Sequence, residues 1–345
     1  MIAHGRKADL DLHAREAFSL RIGSWGLDTM YKKSPVCNCK RVNVLHKYNK
    51  EWVKRVQFKR IGVIGAGTMG QGIAEMLAVK GMEVFLVEKT PEKLDQAWDM
   101  IVVSLDKQIE KWAITVSEKK LILSKIHKVY ALDKIAECDM VIETISEDLE
   151  AKNEVIRSLD KICPPEVILA SNTSTLSLTQ LAAETTRPDR VIGMHFLHPV
   201  AKIDLVEIIR GLKTSEETFQ LTRQFVEETI TKKGIQVYES PGFVTTRLVC
   251  TLINEALHVL AEGVASAEDI DSAMRIGYDF HYGPLEMCDR FGLDSVLAAM
   301  EGMFREFGDI KYRPSFLLKQ MVRAGQLGTK VGQGFFAYDK DGDRL

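Results

Sequence analysis

The stretch Ile61-Gly-Val-Ile-Gly-Ala-Gly-Thr-Met-Gly-Gln-Gly72 decides the fold. It starts as a continuous apolar run and ends in a glycine-rich turn, the pattern of a buried parallel strand. Gly65, Gly67 and Gly70 stand in the spacing G-x-G-x-x-G, and a helix-like segment, Ile73 to Lys80, follows. In that setting the first glycine serves the tight turn and the second lets backbone approach a pyrophosphate. The third lets the helix pack close to the strand. The turn Gly65, Ala66, Gly67, Thr68, Met69 and Gly70 is therefore a candidate dinucleotide cradle, because unpaired N–H groups and the helix dipole favour phosphate there. A second strand ends in Glu88, where an acidic residue is expected to bind the adenosine ribose hydroxyls. The glycine spacing alone is weak, and a turn that uses glycine only for packing is the competing reading.

Working outward, the 345 residues suffice for two domains with separate cores. Apolar and charged fractions of 46% and 27% are those of an ordinary globular chain. No apolar run reaches the roughly 18 residues of a membrane-spanning helix, and the charged start has no secretory h-region. Six cysteines fit a reducing compartment, so a cytoplasmic location is expected. Cys37-Asn-Cys39 with His46 has neither the spacing nor the fourth ligand of a zinc site, and no metal is expected. Residues 1–58 carry 12 Lys and Arg against five acids, an excess of seven, in a chain of net charge −2. A basic arm for an anionic surface is one reading; a poorly ordered extension outside the fold, with a short helix near 48–57, is the stronger one. Translation starting at Val56 is a further expectation. A transit peptide is disfavoured by the five acids and few serines.

From Ile61 strands and helices alternate, the signature of a parallel sheet covered on both faces. Strands are expected at 61–65, 83–88, 139–145, 167–170, 191–196, 205–209 and 235–238, with a long helix over 91–113. Beyond Pro241-Gly242 only helical periodicity remains. Its first helix carries Val244, Leu248, Leu252, Ala256 and Leu260 at four-residue spacing, widened by Ile253 and Leu257. The expected architecture is a Rossmann-type doubly wound α/β domain over 59–240 followed by a smaller all-α domain over 241–345. So broad an apolar face calls for other helices or a second subunit, and a homodimer is expected.

Two titratable groups stand out. His195 ends one strand and Glu207 lies on the next; if the strands pair, both side chains reach one cleft. A histidine accepts a proton near neutral pH, and a carboxylate on its far nitrogen fixes the tautomer and stabilises the imidazolium. A structural histidine with a surface glutamate is the alternative. Ser171-Asn-Thr-Ser-Thr175 follows a strand's carboxyl end, where open α/β sheets bind ligands, but its hydroxyls also suit capping the next helix.

The glycine turn, the Ser-Asn-Thr-Ser run, His195 twelve residues before Glu207, Pro241-Gly-Phe243 and Gly328-Thr-Lys-Val-Gly-Gln-Gly-Phe-Phe336 form an ordered set. From about Lys59 to the end the chain resembles the L-3-hydroxyacyl-CoA dehydrogenase family, with the short bacterial 3-hydroxybutyryl-CoA dehydrogenases the nearest match. That resemblance implies NAD-dependent, reversible oxidation of an (S)-3-hydroxyacyl-CoA. His195 would move the proton of the 3-hydroxyl, Glu207 would orient His195, and Ser174 would bond the 3-oxygen near cofactor and thioester. Glu88 matches the family's acidic ribose ligand. Glu147, Lys152 and Lys330 match cofactor contacts, and Ser104 and Lys111 match contacts to coenzyme A. A solvated face is the competing reading for Lys111.

Two positions depart from the pattern. Thr246 stands where the family usually has an asparagine before Arg247. His198 stands where it usually has one before Pro199, a cofactor contact in relatives. Glu88 favours NAD over NADP, since a carboxylate repels a 2′-phosphate; Lys89 and Lys93 partly offset this. Two other readings stay open: a dehydrogenase of a free hydroxy acid such as L-gulonate, and a dinucleotide-binding protein with retired catalysis.

Overall fold

The glycine turn joins the first strand, β1 (Arg60–Ile64), to the first helix, α1 (Thr68–Val79), in a computed structural model that describes residues 58–340 and 342–345. Residues 1–57, with the expected arm, its short helix, the Val56 start and Cys37, Cys39 and His46, lie outside the described residues.

The chain continues through β2 (Glu83–Val87), α2 (Pro91–Glu110), α3 (Val116–Ser124), β3 (Ile126–Val129), β4 (Met140–Glu143), α4 (Leu149–Ile162), β5 (Ile168–Ser171), α5 (Leu178–Ala183) and β6 (Val191–Phe196). It then passes through β7 (Leu205–Arg210), α6 (Glu216–Gln224) and β8 (Lys233–Tyr238). The eight strands lie in the order β3-β2-β1-β4-β5-β6-β7-β8. Neighbours from β3 through β6 are parallel, β7 runs antiparallel to β6, and β8 is parallel to β7. The order reverses between β1 and β4, so the glycine turn sits at the topological switch point, beyond the strands' carboxyl ends.

Period-two alternation explains the two-faced burial. In β4, Met140 and Ile142 join one core with α1 and α2, while Val141 joins the opposite core with Val155, Ile156 and Leu159 of α4.

A helical domain follows: α7 (Thr245–Ala261), α8 (Ala267–Tyr278), α9 (Pro284–Phe291), α10 (Leu293–Phe307) and α11 (Phe316–Arg323). Its core takes Cys250, Ile253, Ala256 and Leu257 from α7. This corrects the expected stripe, because Val244 and Leu248 are exposed. The buried positions run i, i+3, i+6, i+7 from Cys250, turning the packed face away from Leu248. No helix among the described residues is long and apolar enough to cross a membrane.

Candidate active site

The turn after β1 is shaped by close approaches. Gly65 adopts φ +101°, a region open to glycine. A Cβ on Gly70 would overlap the Gly65 carbonyl oxygen. The Thr144 hydroxyl, at the end of β4, donates to the carbonyls of Ile64 (3.0 Å) and Gly65 (2.8 Å) and ties the turn to the switch point. Gly67 differs: a Cβ there would meet no protein atom within 4 Å. The space beside it is open, and α1 starts with no side-chain cap and no acid in its first turn. Its leading N–H groups thus face outward as an anion site. Glu88, just past β2, accepts from the Ala66 N–H at 3.2 Å, so its carboxylate lies against the same turn. These residues fit a dinucleotide, pyrophosphate on the turn and ribose at Glu88.

The antiparallel pairing of β6 and β7 sets His195 directly opposite Glu207. Directly opposed residues point to the same face of the sheet. The imidazole Nδ1 lies 2.6 Å from Glu207 Oε2, and Nε2 lies 3.2 Å from the Ser174 hydroxyl. An ionised carboxylate only accepts, so Nδ1 carries a proton and donates; in the neutral ring Nε2 is then the free base, which Ser174 bonds. Phe243 covers the imidazole with ring centroids 5.8 Å apart.

Glu207 is wholly buried. Its Oε1 accepts from the backbone N–H groups of Val244 (3.1 Å) and Thr245 (2.9 Å), and its Oε2 accepts from the Thr245 hydroxyl (2.8 Å) as well as His195. α7 has no cap of its own, so Glu207 caps the first helix of the helical domain. Burial alone would raise its pKa. The hydrogen bonds from His195 and from Thr245 outweigh burial and hold it below the usual carboxylate range.

The hydroxyl-rich loop after β5 hangs on a second carboxylate. Glu147 Oε1 accepts from the Thr173 hydroxyl (2.6 Å), the N–H groups of Ser174 and Thr175 (2.8 Å each) and the Thr175 hydroxyl (3.0 Å). Partial burial raises its pKa, but Lys152 and these hydrogen bonds win and lower it. Lys152 is itself buried, its Nζ 2.7 Å from Glu143 Oε1 and 3.6 Å from Glu147. Glu143, at the end of β4, also accepts from the Ser171 hydroxyl at 2.6 Å. Asn172 Oδ1 accepts from the Phe196 N–H at 2.8 Å, joining this loop to the strand that carries His195.

The structure therefore brings His195, Glu207, Ser174 and Glu147 together, and Glu88 to the glycine turn. Lys152 lies inside, with its ammonium engaged by Glu143 and the Ile145 carbonyl. His198 is exposed and joined to Pro199 by a cis peptide. Lys330 holds Asp294 (2.7 Å) and Ser295 (3.0 Å) at the start of α10. On the α2 excursion, the Ser104 hydroxyl donates to the buried Glu75 at 3.0 Å, while Lys111 is exposed at the helix's end. Thr246 is half-buried in the first turn of α7 and makes no side-chain hydrogen bond among the described residues. Sequence reasoning missed Thr245 and Glu143. Thr245 sits two residues after the Pro-Gly-Phe segment, the one signal that pointed to it.

The profile of the 3-hydroxyacyl-CoA dehydrogenase NAD binding domain matches residues 60–240, and that of the 3-hydroxyacyl-CoA dehydrogenase C-terminal domain matches 242–338. A probable 3-hydroxybutyryl-CoA dehydrogenase of Bacillus subtilis is 44% identical over 285 residues, 83% of this chain and 99% of the relative. A 3-hydroxybutyryl-CoA dehydrogenase of Clostridioides difficile is 42% identical over 281 residues, 81% of this chain and all of the relative. The crystal structure of (S)-3-hydroxybutyryl-CoA dehydrogenase PaaH1 from Ralstonia eutropha superimposes with a TM-score of 0.77 at 42% identity, covering 82% of this chain and 100% of that one.

Proposed function

We propose, from the premise that the chain belongs to the 3-hydroxyacyl-CoA dehydrogenase family of NAD-dependent oxidoreductases, that it interconverts (S)-3-hydroxybutyryl-CoA and acetoacetyl-CoA. The observation that carries the chemistry is His195 bracketed by Glu207 Oε2 at 2.6 Å and the Ser174 hydroxyl at 3.2 Å.

In the oxidative direction His195 Nε2 takes the proton of the substrate's 3-hydroxyl. Glu207 holds the ring with Nε2 forward and stabilises the imidazolium that results. The Ser174 hydroxyl turns from Nε2 to the reacting oxygen and fixes its position between loop and base. Bound NAD supplies the acceptor for the hydride from C3. The glycine turn (Gly65 to Gly70) holds its pyrophosphate, and Glu88 bonds its ribose hydroxyls and disfavours a 2′-phosphate. Glu147, His198 and Lys330 serve the nicotinamide side, with Lys152 acting from beneath through Glu147. Ser104 and Lys111 serve the coenzyme A moiety, Lys111 as a point charge for phosphate. Thr246 faces the substrate from α7. The helical domain supplies substrate contacts and, through exposed Leu248 and Phe316, the contact of a cytoplasmic homodimer.

The test follows NADH absorbance with acetoacetyl-CoA. Native protein consumes NADH, and His195→Ala loses about 10³-fold in kcat, since positioned acid–base catalysis is worth about 10²–10⁴. Equal turnover by native and variant protein, or none by the native protein at millimolar substrate, overturns the reading.

A further inference from the structure

The two oxygens of Glu207 are used differently. Oε1 takes only backbone N–H groups, the ordinary requirement of a helix N-terminus. Oε2 receives His195 Nδ1 at 2.6 Å, and the Thr245 hydroxyl reaches that same atom at 2.8 Å. Capping needs no such hydroxyl, because the Thr245 backbone N–H already serves it. Nor is this where a helical threonine hydroxyl ordinarily goes. Six residues on, Thr251 bonds the Arg247 carbonyl at 2.7 Å, one turn back in the same helix.

We propose that Thr245 is a positioning residue that tunes the acid–base pair by sharing with His195 the carboxylate oxygen they both bond. The proposal rests on the reading of His195 as the proton acceptor. A carboxylate cannot donate, so the hydroxyl proton points at Oε2. It draws charge from the oxygen that stabilises the imidazolium, and His195 therefore gives up its proton more readily than it would facing Glu207 alone. The charged groups around the pair are accounted for. From the loop after β5, Ser174 intervenes before Glu147, which shares the Lys152 ammonium with Glu143. From α7, the Arg247 guanidinium turns away to the Tyr312 hydroxyl and over the Phe307 ring. From β8, the residue beside Glu207 is apolar Ile235. Among the described residues Thr245 is then the side chain that adjusts Glu207 besides His195 itself.

The experiment compares native protein with Thr245→Val, Thr245→Ala and Thr245→Ser. The first readout is the pH profile of kcat/KM for 3-hydroxybutyryl-CoA oxidation. The second is the imidazole titration of His195 by NMR in cofactor-free protein. Hydrogen bonds to charged groups are among the stronger ones, so losing the Thr245 hydroxyl is felt at the carboxylate. Part of that loss reaches the histidine. Val and Ala therefore move the acid limb and the NMR midpoint upward by about half to one pH unit, and Ser restores the native limb. Curves for Val and Ala that superimpose on the native one overturn the proposal, as does a Ser curve displaced as far as Val. The NMR arm reads the pair without substrate, so loss of the proposed function shows separately as absent turnover in native protein.

Discussion

Glu207 and Asp289 are both wholly buried carboxylates with donors aimed at each oxygen, one between the sheet and α7, the other inside the helical domain. Asp289 accepts from the N–H groups of Phe335 and Phe336 and from the Tyr338 hydroxyl, all at 2.9 Å. By donors alone the two would titrate alike. They do not: Glu207 is held below the ordinary range, while burial, reinforced by the charge of Asp271, pushes Asp289 above it. The partners differ in kind. Glu207 faces a histidine that can become a cation at the N-terminus of a helix; Asp289 faces neutral donors and a second acid. The first arrangement keeps a charge against the imidazole, as the proposed proton transfer requires. The second anchors the loop that carries Lys330, packed so closely that a Cβ on Gly334 would overlap Asp289 Oδ1.

The contrast is broken or sharpened most strongly at Glu207. Glu207→Gln keeps an oxygen for the α7 N–H groups only by setting its amide NH₂ against His195 Nδ1. Steady-state kinetics should show kcat lowered about 10²–10⁴-fold, the scale of misdirecting a catalytic imidazole; a loss under threefold would make this carboxylate merely a cap.

Asp289→Asn should act on stability instead. An amide NH₂ would face one of the three donors and leave it unpaired, at a cost of about 1–3 kcal/mol. A lowered midpoint in thermal unfolding is expected, and a midpoint matching native protein would remove Asp289 as the loop's anchor.

The smallest effect lies in the pH dependence of denaturant unfolding. A depressed carboxylate such as Glu207 contributes stability that is complete above its unfolded pKa, about 4.3, and is lost as pH falls through the lower folded value. A raised one such as Asp289 costs stability above its folded pKa, and that cost is relieved as pH falls through it. From neutral pH down to about 4 the native protein should therefore gain on Asp289→Asn. Below about 4 it should lose its advantage over Glu207→Gln. Parallel curves for both variants would show that the two carboxylates do not differ.

Much of this was legible in the chain itself. Strand expectations fall within a residue or two of β1, β2, β5, β6 and β7, because buried parallel strands are unbroken apolar runs bounded by turns. His195 and Glu207 could be paired because each ends or centres a strand with a short connection between. Helix faces were less secure. Leu248 continues the apolar spacing of α7 yet lies exposed, and Lys152, a residue type that belongs in water, is buried against Glu143. Between β7 and β8, α6 ends at Gln224 and gives way to a π-helical turn over Phe225–Thr229.

By itself the sequence determined the glycine turn, the alternation that makes a doubly wound sheet, the change to helices after Pro241 and the residue types of the proposed acid–base pair. These depend on neighbouring residues, through steric limits on φ and the period of burial. Only the tertiary structure decided how Glu207 and Glu147 hold their charges. Their donors come from Thr245 and Ser174, 38 and 27 positions away, and a carboxylate's affinity for a proton is set by what surrounds it in space.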